Sequence, residues 1–511
     1  MRIVCLGDRE SLSFPGSIAR CGLRVLRVKF PTLSESTLVL SMDSNLQETL
    51  NHLQVEIDAL ESDKTALLLR LESLDSSLFH LRAKYGTIKN RTALIGILPN
   101  EILAKIFELG RESNTPTGRQ HFEVLVSHVI TAWREVAITT PSLWNILEIA
   151  PSKSSRMLAT YVARAKACSL IVRFDFMQEV WVPDQSVWDV ILSTVDWWCS
   201  LEIFAGRNDA ALYATLAHLE PVRASLLEEI AVSRGSSMHT IEISAPVPLH
   251  GFRNSPRSFQ GGAPRLAKLH LEGSYLASNW PPLTHLSTLF LHELRRSTRP
   301  SWTRFRDLLT SSLQLSRLSI HGDVVSGKPP SNFEINLPQL RSLRIRGTTP
   351  LGNRVSDLLL TISAPSLDSL TLYDMISSDL QPFLSGFQLL TSLASLTLYW
   401  PNFTPNTYIQ LFETMPSIQR LTLMDRRPGD FLSLLGNPFR GPSDFLCAQL
   451  KDFGLYPPTA PSGSIEDMVN NRATHAPLRL LRLGSGLSLP GVRVLLFNLS
   501  PPQWPMWSEQ L

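Results

Sequence analysis

One phrase, Pro-x-Leu-x-x-Leu-x-Leu in its fullest form, returns nine times between Pro264 and Leu483. It reads PRLAKLHL from Pro264, THLSTLFL from Thr284, LQLSRLSI from Leu313, PQLRSLRI from Pro338, PSLDSLTL from Pro365, TSLASLTL from Thr391, PSIQRLTL from Pro416, AQLKDFGL from Ala448 and PLRLLRL from Pro477. The last apolar residues of successive phrases lie 20, 29, 25, 27, 26, 25, 32 and 28 residues apart. Within a phrase the L-x-L alternation has the period of a strand. Between phrases, FRDLLTSSLQ from Phe305, TYIQLFETM from Thr407 and SIEDMVNNRA from Ser464 have the period of a helix. A strand and a helix restarted at this interval bury their apolar faces only by stacking on their neighbours, which builds a parallel sheet on one side and helices on the other. A β-sandwich would need a strand every 8–12 residues or so, which this spacing does not supply. Weaker phrases, SLIVRFDF from Ser169, SLEIFAG from Ser200 and HTIEISA from His239, extend the array upstream. A period near 26 is that of leucine-rich repeats.

Ahead of the repeats, Leu94 to Leu147 reads as a compact helical unit. Leu98, Ile102, Leu103, Ile106 and Phe107 recur at helical spacing, with Pro99 at the start and Gly110 at the predicted end. Phe122, Leu125, Val126, Val129, Trp133, Val136 and Ala137 predict a second helix, stopped at Thr139-Thr140-Pro141. So small a unit cannot hide all its apolar surface and should lean on a partner or a neighbouring domain.

Two runs in this unit carry a resemblance. Leu98-Pro99-x-Glu101-Ile102-Leu103-x-x-Ile106-Phe107, then Val126-Ser127-His128-Val129-x-x-x-Trp133-Arg134-x-x-Ala137 and Thr140-Pro141-x-Leu143-Trp144, are similar to the F-box. That module docks substrate receptors onto the Skp-type adaptor of cullin-RING ubiquitin ligases. The wording departs from the family's commonest form at Ile130, Thr131 and Ala132, where a cysteine and basic residues usually stand. The resemblance implies adaptor contacts at Leu98, Pro99, Glu101, Ile102, Leu103, Ile106, Phe107, Val129, Trp133 and Arg134, and through the adaptor a cullin.

Further upstream, Leu46, Leu50, Leu53, Ile57, Leu60, Lys64, Leu67, Leu71, Leu74, Leu78 and Leu81 step by four and three in strict alternation, with no Pro or Gly between Pro31 and Gly86. This is an a/d seam of about five heptads. Two readings stay open: pairing with a second copy, or a long helix folding back on its own chain. Residues 1–45 show no sustained period.

The expected fold is therefore α/β: an irregular leucine-rich-repeat solenoid over 150–500, with a parallel sheet and outer helices, preceded by a small all-α F-box-like unit over 94–147 and a heptad helix over 46–90. Hydrophobic content of 43% and charged content of 18% fit an ordered chain, and a net charge of +3 over 511 residues does not by itself imply nucleic acid or an anionic membrane. The densest basic run, Arg295, Arg296, Arg299, Arg304 and Arg306, has Trp302 and Phe305 interleaved, which suits a phosphate patch but equally a solvated loop and helix start. Five cysteines with no CxxC and no signal-peptide core suit a reducing, cytoplasmic or nuclear setting, and no stretch is apolar for the length of a membrane span.

Gly322-x-x-x-x-Gly327-Lys328 begins like a P-loop, but Pro329 replaces the hydroxyl that would bind magnesium. No other catalytic or metal motif is present, so a non-enzyme without cofactor is expected. The residues just after L-x-L should line the sheet's concave face, and they run Glu272, His292, His321, Arg346, Tyr373, Tyr399, Met424, Tyr456 and Gly484. With Arg344 on the same face and Arg317 and Arg420 adding charge, a protein target with acidic and apolar groups is expected on Arg344, Arg346, Tyr373 and Tyr399. The family resemblance thus implies a substrate-recognition subunit of an SCF-type ligase. The alternative is a non-catalytic repeat scaffold without a role in ubiquitin transfer.

Overall fold

A computed structural model describes residues 44–91, 95, 98–113, 121–177, 181–206, 209–233, 258–272, 283–292, 299–347, 354–386, 389–425, 428–438, 441, 444–456, 462–483 and 492–496. The chain divides into two units, Met1–Ile97 and Leu98–Leu511. Apart from Ile95, the described part of the first is a single helix, α1 (Ser44–Arg91), of 48 residues.

The second unit opens with α2 (Asn100–Ser113), α3 (Phe122–Ser127), α4 (Thr131–Thr139) and a 3-10 turn at Pro141–Trp144. Strands and helices then alternate: β1 (Ile146–Ile149), α5 (Ser155–Ala165), β2 (Leu170–Asp175), α6 (Gln185–Leu192), β3 (Trp198–Phe204), α7 (Asp209–His218), β4 (Glu229–Ser233), β5 (Lys268–Glu272) and β6 (Thr288–His292). They continue with α8 (Trp302–Ser311), β7 (Arg317–His321), β8 (Ile335–Asn336), β9 (Ser342–Arg346), α9 (Arg354–Thr361), β10 (Ile362–Ser363), β11 (Ser369–Tyr373), α10 (Ser377–Ser385) and β12 (Ser395–Tyr399). The last elements are α11 (Pro405–Glu413), β13 (Arg420–Met424), α12 (Gly429–Gly436), β14 (Asp452–Tyr456), α13 (Ser462–Arg472), β15 (Leu480–Leu483) and β16 (Arg493–Leu496).

Fourteen of these strands form one parallel sheet in chain order, and β8 and β10 pair separately beside it. The architecture is α/β with a solenoid-like repeat, as the spacing of the phrases predicts. HTIEISA lies outside the described residues, whereas β1, β4 and β16 add strands that carry no full phrase.

Each part of the phrase has a structural job. The Pro-x-Leu portion is a turn: Leu340, Leu367 and Leu393 donate their amides to the carbonyls of Leu337, Ala364 and Leu390 at 3.1–3.3 Å. Pro338 and Pro365 occupy the second position of such turns, where a fixed φ lowers the entropy cost of closing them. The leucine that follows is buried, as are the two of L-x-L, for example Leu343 and Ile345, Leu370 and Leu372, or Leu396 and Leu398. Helices cover this leucine face. Trp188 of α6 packs on Phe174 of β2 at 5.3 Å, and Phe431 of α12 touches Tyr408 of α11 as well as Phe453 of β14. Helix starts are capped by Ser154, Asp184, Ser301 and Thr404, each accepting a backbone amide three residues on.

The N-terminal helices differ from their sequence expectation in two ways. Gly110 does not end α2, which continues to Ser113. The glycine is required by packing, because a Cβ there would sit 2.5 Å from Cζ of Phe122. The second predicted helix is two: His128 closes α3, and Ile130, extended at φ −147° and ψ 162°, starts α4 without a side-chain cap.

Candidate functional site

Two surfaces collect the residues singled out in the sequence. The first is on α2 to α4. Leu103, Phe107, Val126, Trp133, Val136 and Ala137 are buried, and Phe107 meets Trp133 edge-on at 5.1 Å. These form the unit's own core, so Leu103, Phe107 and Trp133 hold the helices in place. Their neighbours on the adjoining stripe of α2 point outward: Ile102 is 48% exposed, Ile106 41% and Leu109 51%. Leu125 on α3 and Val129 just beyond it are also exposed. Pro99, Glu101 and Arg134 are exposed and Leu98 half-buried. Glu101 stands in the first turn of α2, where a carboxylate suits the helix dipole. Leu109 was missed in the sequence, although its place three residues after Ile106 continues the stripe.

This unit is fused to the first repeat. Ser142 donates to Glu108 at 2.6 Å and accepts from Arg111 through its carbonyl. Tyr161 of α5 donates to Glu123 at 2.6 Å and packs edge-on against Trp144 at 5.0 Å, with the Arg164 guanidinium on Trp144 at 4.3 Å. His121 lies 3.2 Å from both Glu123 and Glu148 and also touches Lys153. Burial works against the charge of Glu123, but the bonds from His121 and Tyr161 outweigh it and hold the carboxyl below its ordinary value.

The second surface is the sheet face opposite the helices. Parallel in-register pairing sets His292, His321, Arg346, Tyr373, Tyr399 and Met424 side by side on successive strands. Glu272 precedes them opposite His292, accepts a 2.6 Å bond from Ser233 and lies 3.4 Å from the His292 ring. The rings of His292 and His321 stack at 3.8 Å. The Arg346 guanidinium sits 4.4 Å over Tyr373, whose ring meets Tyr399 at 5.4 Å and Trp400 at 5.2 Å. Arg346 reaches Asp374 at 3.6 Å through Nη2, while its buried Nη1 has no hydrogen-bond partner among the described residues.

This column is more enclosed than alternation alone predicts. Glu272, His292, His321, Tyr373 and Met424 are buried, so Tyr373 supports its neighbours from beneath. Asp374 and Trp400, at φ 54° and 47°, turn the chain sharply at the strand ends, and Trp400 closes on Tyr373. Arg344, Arg346 and Tyr399 are only partly buried, the Arg346 side chain keeping 13% of its surface exposed. Burial pulls the proton affinity of Arg344 down and nearby Arg317 adds to this, whereas Tyr399 opposes it. Arg317 is thus part of the cluster. Arg420 is not: it lies four strands from Arg317, about 19 Å, and pairs with Asp368 at 3.5 Å. Gly484 lies outside the described residues.

The histidines are held neutral. Burial pushes His292 down to about 4, assisted by Arg346 and opposed by Glu272. Burial likewise pushes His270, edge-on to Phe290 at 4.2 Å, down to about 3, and lowers His321 further.

Elsewhere the motifs dissolve into structure. Gly322 and Gly327 bracket a loop whose Gly327 carbonyl accepts from Trp302, and β8 follows where a phosphate site needs a helix. Arg299 pairs with Asp323 at 2.9 Å and Arg306 lies over Phe333, while Arg295 and Arg296 are outside the described residues. Among the described residues no His, Cys, Asp and Glu group could hold a metal, and no helix is long and apolar enough to cross a membrane. Neither a family model nor a curated protein matches this chain.

Proposed function

We propose that the protein is a substrate-recognition subunit of an SCF-type cullin-RING ubiquitin ligase, with residues 94–147 as an F-box docking a Skp-type adaptor and the leucine-rich repeats holding a protein target. The observation that carries this reading is the outward stripe Ile102, Ile106 and Leu109 on a unit whose core is already filled by Phe107 and Trp133. It coincides with the segment whose wording resembles the F-box. The partly buried Arg344, Arg346 and Tyr399, backed by Tyr373, suit a target segment with acidic and apolar groups. The receptor's contribution to rate is proximity, raising the concentration of target lysines near the conjugating enzyme.

The test is co-purification of the full chain with both adaptor and cullin, against a variant carrying Ile102→Asp and Ile106→Asp. Adaptor recovery should fall at least 100-fold with thermal unfolding little changed. Undiminished adaptor binding would reject the docking surface. Adaptor without cullin would favour a second reading, a repeat scaffold with no role in ubiquitin transfer.

A further inference from the structure

Helix α1 carries its seam uncovered. Every seam apolar residue from Leu50 to Leu81 is 48–69% exposed, over a helix about 72 Å long. A helix draws most of its stability from packing its apolar face, so a continuous leucine stripe calls for a second apolar surface of matching length. The seam's register supplies one. With Leu50, Ile57, Lys64, Leu71 and Leu78 at a and Leu53, Leu60, Leu67, Leu74 and Leu81 at d, the stripe is complementary to itself in either direction.

Charge decides the direction. From Ser44 to Leu67 the acids Glu48, Glu56, Asp58, Glu61 and Asp63 against Lys64 leave −4. From Leu68 to Arg91 the cations Arg70, Arg82, Lys84, Lys89 and Arg91 against Glu72 and Asp75 leave +3. A parallel pair sets Lys64 beside Lys64, Glu56 beside Glu61 and Lys84 beside Lys89, with only Arg70 and Asp75 in attraction. An antiparallel pair places Leu50 against Leu81, Ile57 against Leu74 and Lys64 against Leu67, which uses the whole seam without facing Lys64 with its copy. It also sets Asp63 across from Arg70, twice by symmetry, and leaves no like-charged flanking pair.

We infer that α1 is a homodimerisation element that pairs antiparallel with a second copy of this chain. The two chains then leave the coil at opposite ends, roughly 70 Å apart. This stands independently of the ligase reading.

The experiment uses the full chain. Light scattering at about 10 µM should give twice the chain mass. Leu50→Cys and Leu81→Cys variants with different tags, co-expressed and oxidised, should cross-link to each other at least fivefold over Leu50→Cys to itself, with the unmodified chain setting the background. Arg70→Asp should weaken association about tenfold and added Asp63→Arg should restore it. A monomer overturns the proposal and is the outcome expected of a helix folded back on its own chain. Dominant Leu50→Cys self-cross-links, or a charge reversal without effect, overturn the antiparallel arrangement.

Discussion

Leucines recur at fixed intervals in both α1 and the repeat sheet, yet Leu60 and Leu67 of α1 are 65% and 69% exposed while Leu370 and Leu396 of the sheet have none of their surface in solvent. The difference lies in where the partner surface comes from. In the sheet, a strand's leucines meet those of the next strand, and helices of the same chain cover them, as Phe431 of α12 covers Phe453 of β14. In α1 the periodic stripe defines a surface that its own helix cannot cover. A leucine period thus specifies the shape of a contact, and the supply of a partner decides whether the contact is made.

The comparison breaks most sharply at single leucines. Leu370→Ala should destabilise the Leu98–Leu511 unit by about 3 kcal/mol, through lost burial and the cavity left behind. Leu60→Ala should leave the urea transition of that unit unmoved and change self-association alone. Equal losses would erase the distinction between the two regions.

Acid should sharpen it next. His270 and His292 are held neutral, near 3 and 4 against an ordinary 6.5, so the unfolded chain binds more protons between those values. Their stabilisation is complete above pH 6.5 and is lost as pH falls toward the folded values, by about 2 kcal/mol for each between pH 6.5 and 5. Urea midpoints of the sheet should follow this curve, and His292→Leu should flatten it. A pH-independent midpoint would show that the histidines are solvated.

The smallest expected effect is on the outward stripe of α2. Ile106→Ser should change stability by less than about 0.5 kcal/mol, since its side chain is 41% exposed. Phe107→Ala, one position on, should cost about 3–5 kcal/mol because that ring is buried against Trp133. Calorimetry of the pair separates the face that holds the unit together from the face left for a partner.

Much of this was legible beforehand. The L-x-L strands and α8, α11 and α13 follow from local period, which acts within about ten residues. What escaped depends on contacts distant in the chain. The partition of α2 into Phe107 inside and Ile106 outside is set by Trp133. The enclosure of Tyr373 depends on Arg346 and on the left-handed Trp400, one strand away on either side. β1 and β4 lack the full phrase and are strands because β2, β3 and β5 pair with them.

The chain-ordered sheet also fixes how the molecule would respond to force. Because neighbouring strands in space are neighbours in sequence, a pull on the β16 end loads one ladder at a time. Each ladder that yields lengthens the chain by a repeat of about 26 residues, roughly 90 Å when stretched. The opposite end is riveted by Tyr161 on Glu123 and Trp144, far from the loaded strand. The repeats would peel from one terminus in a sawtooth, and the helical unit at the other would remain folded until last.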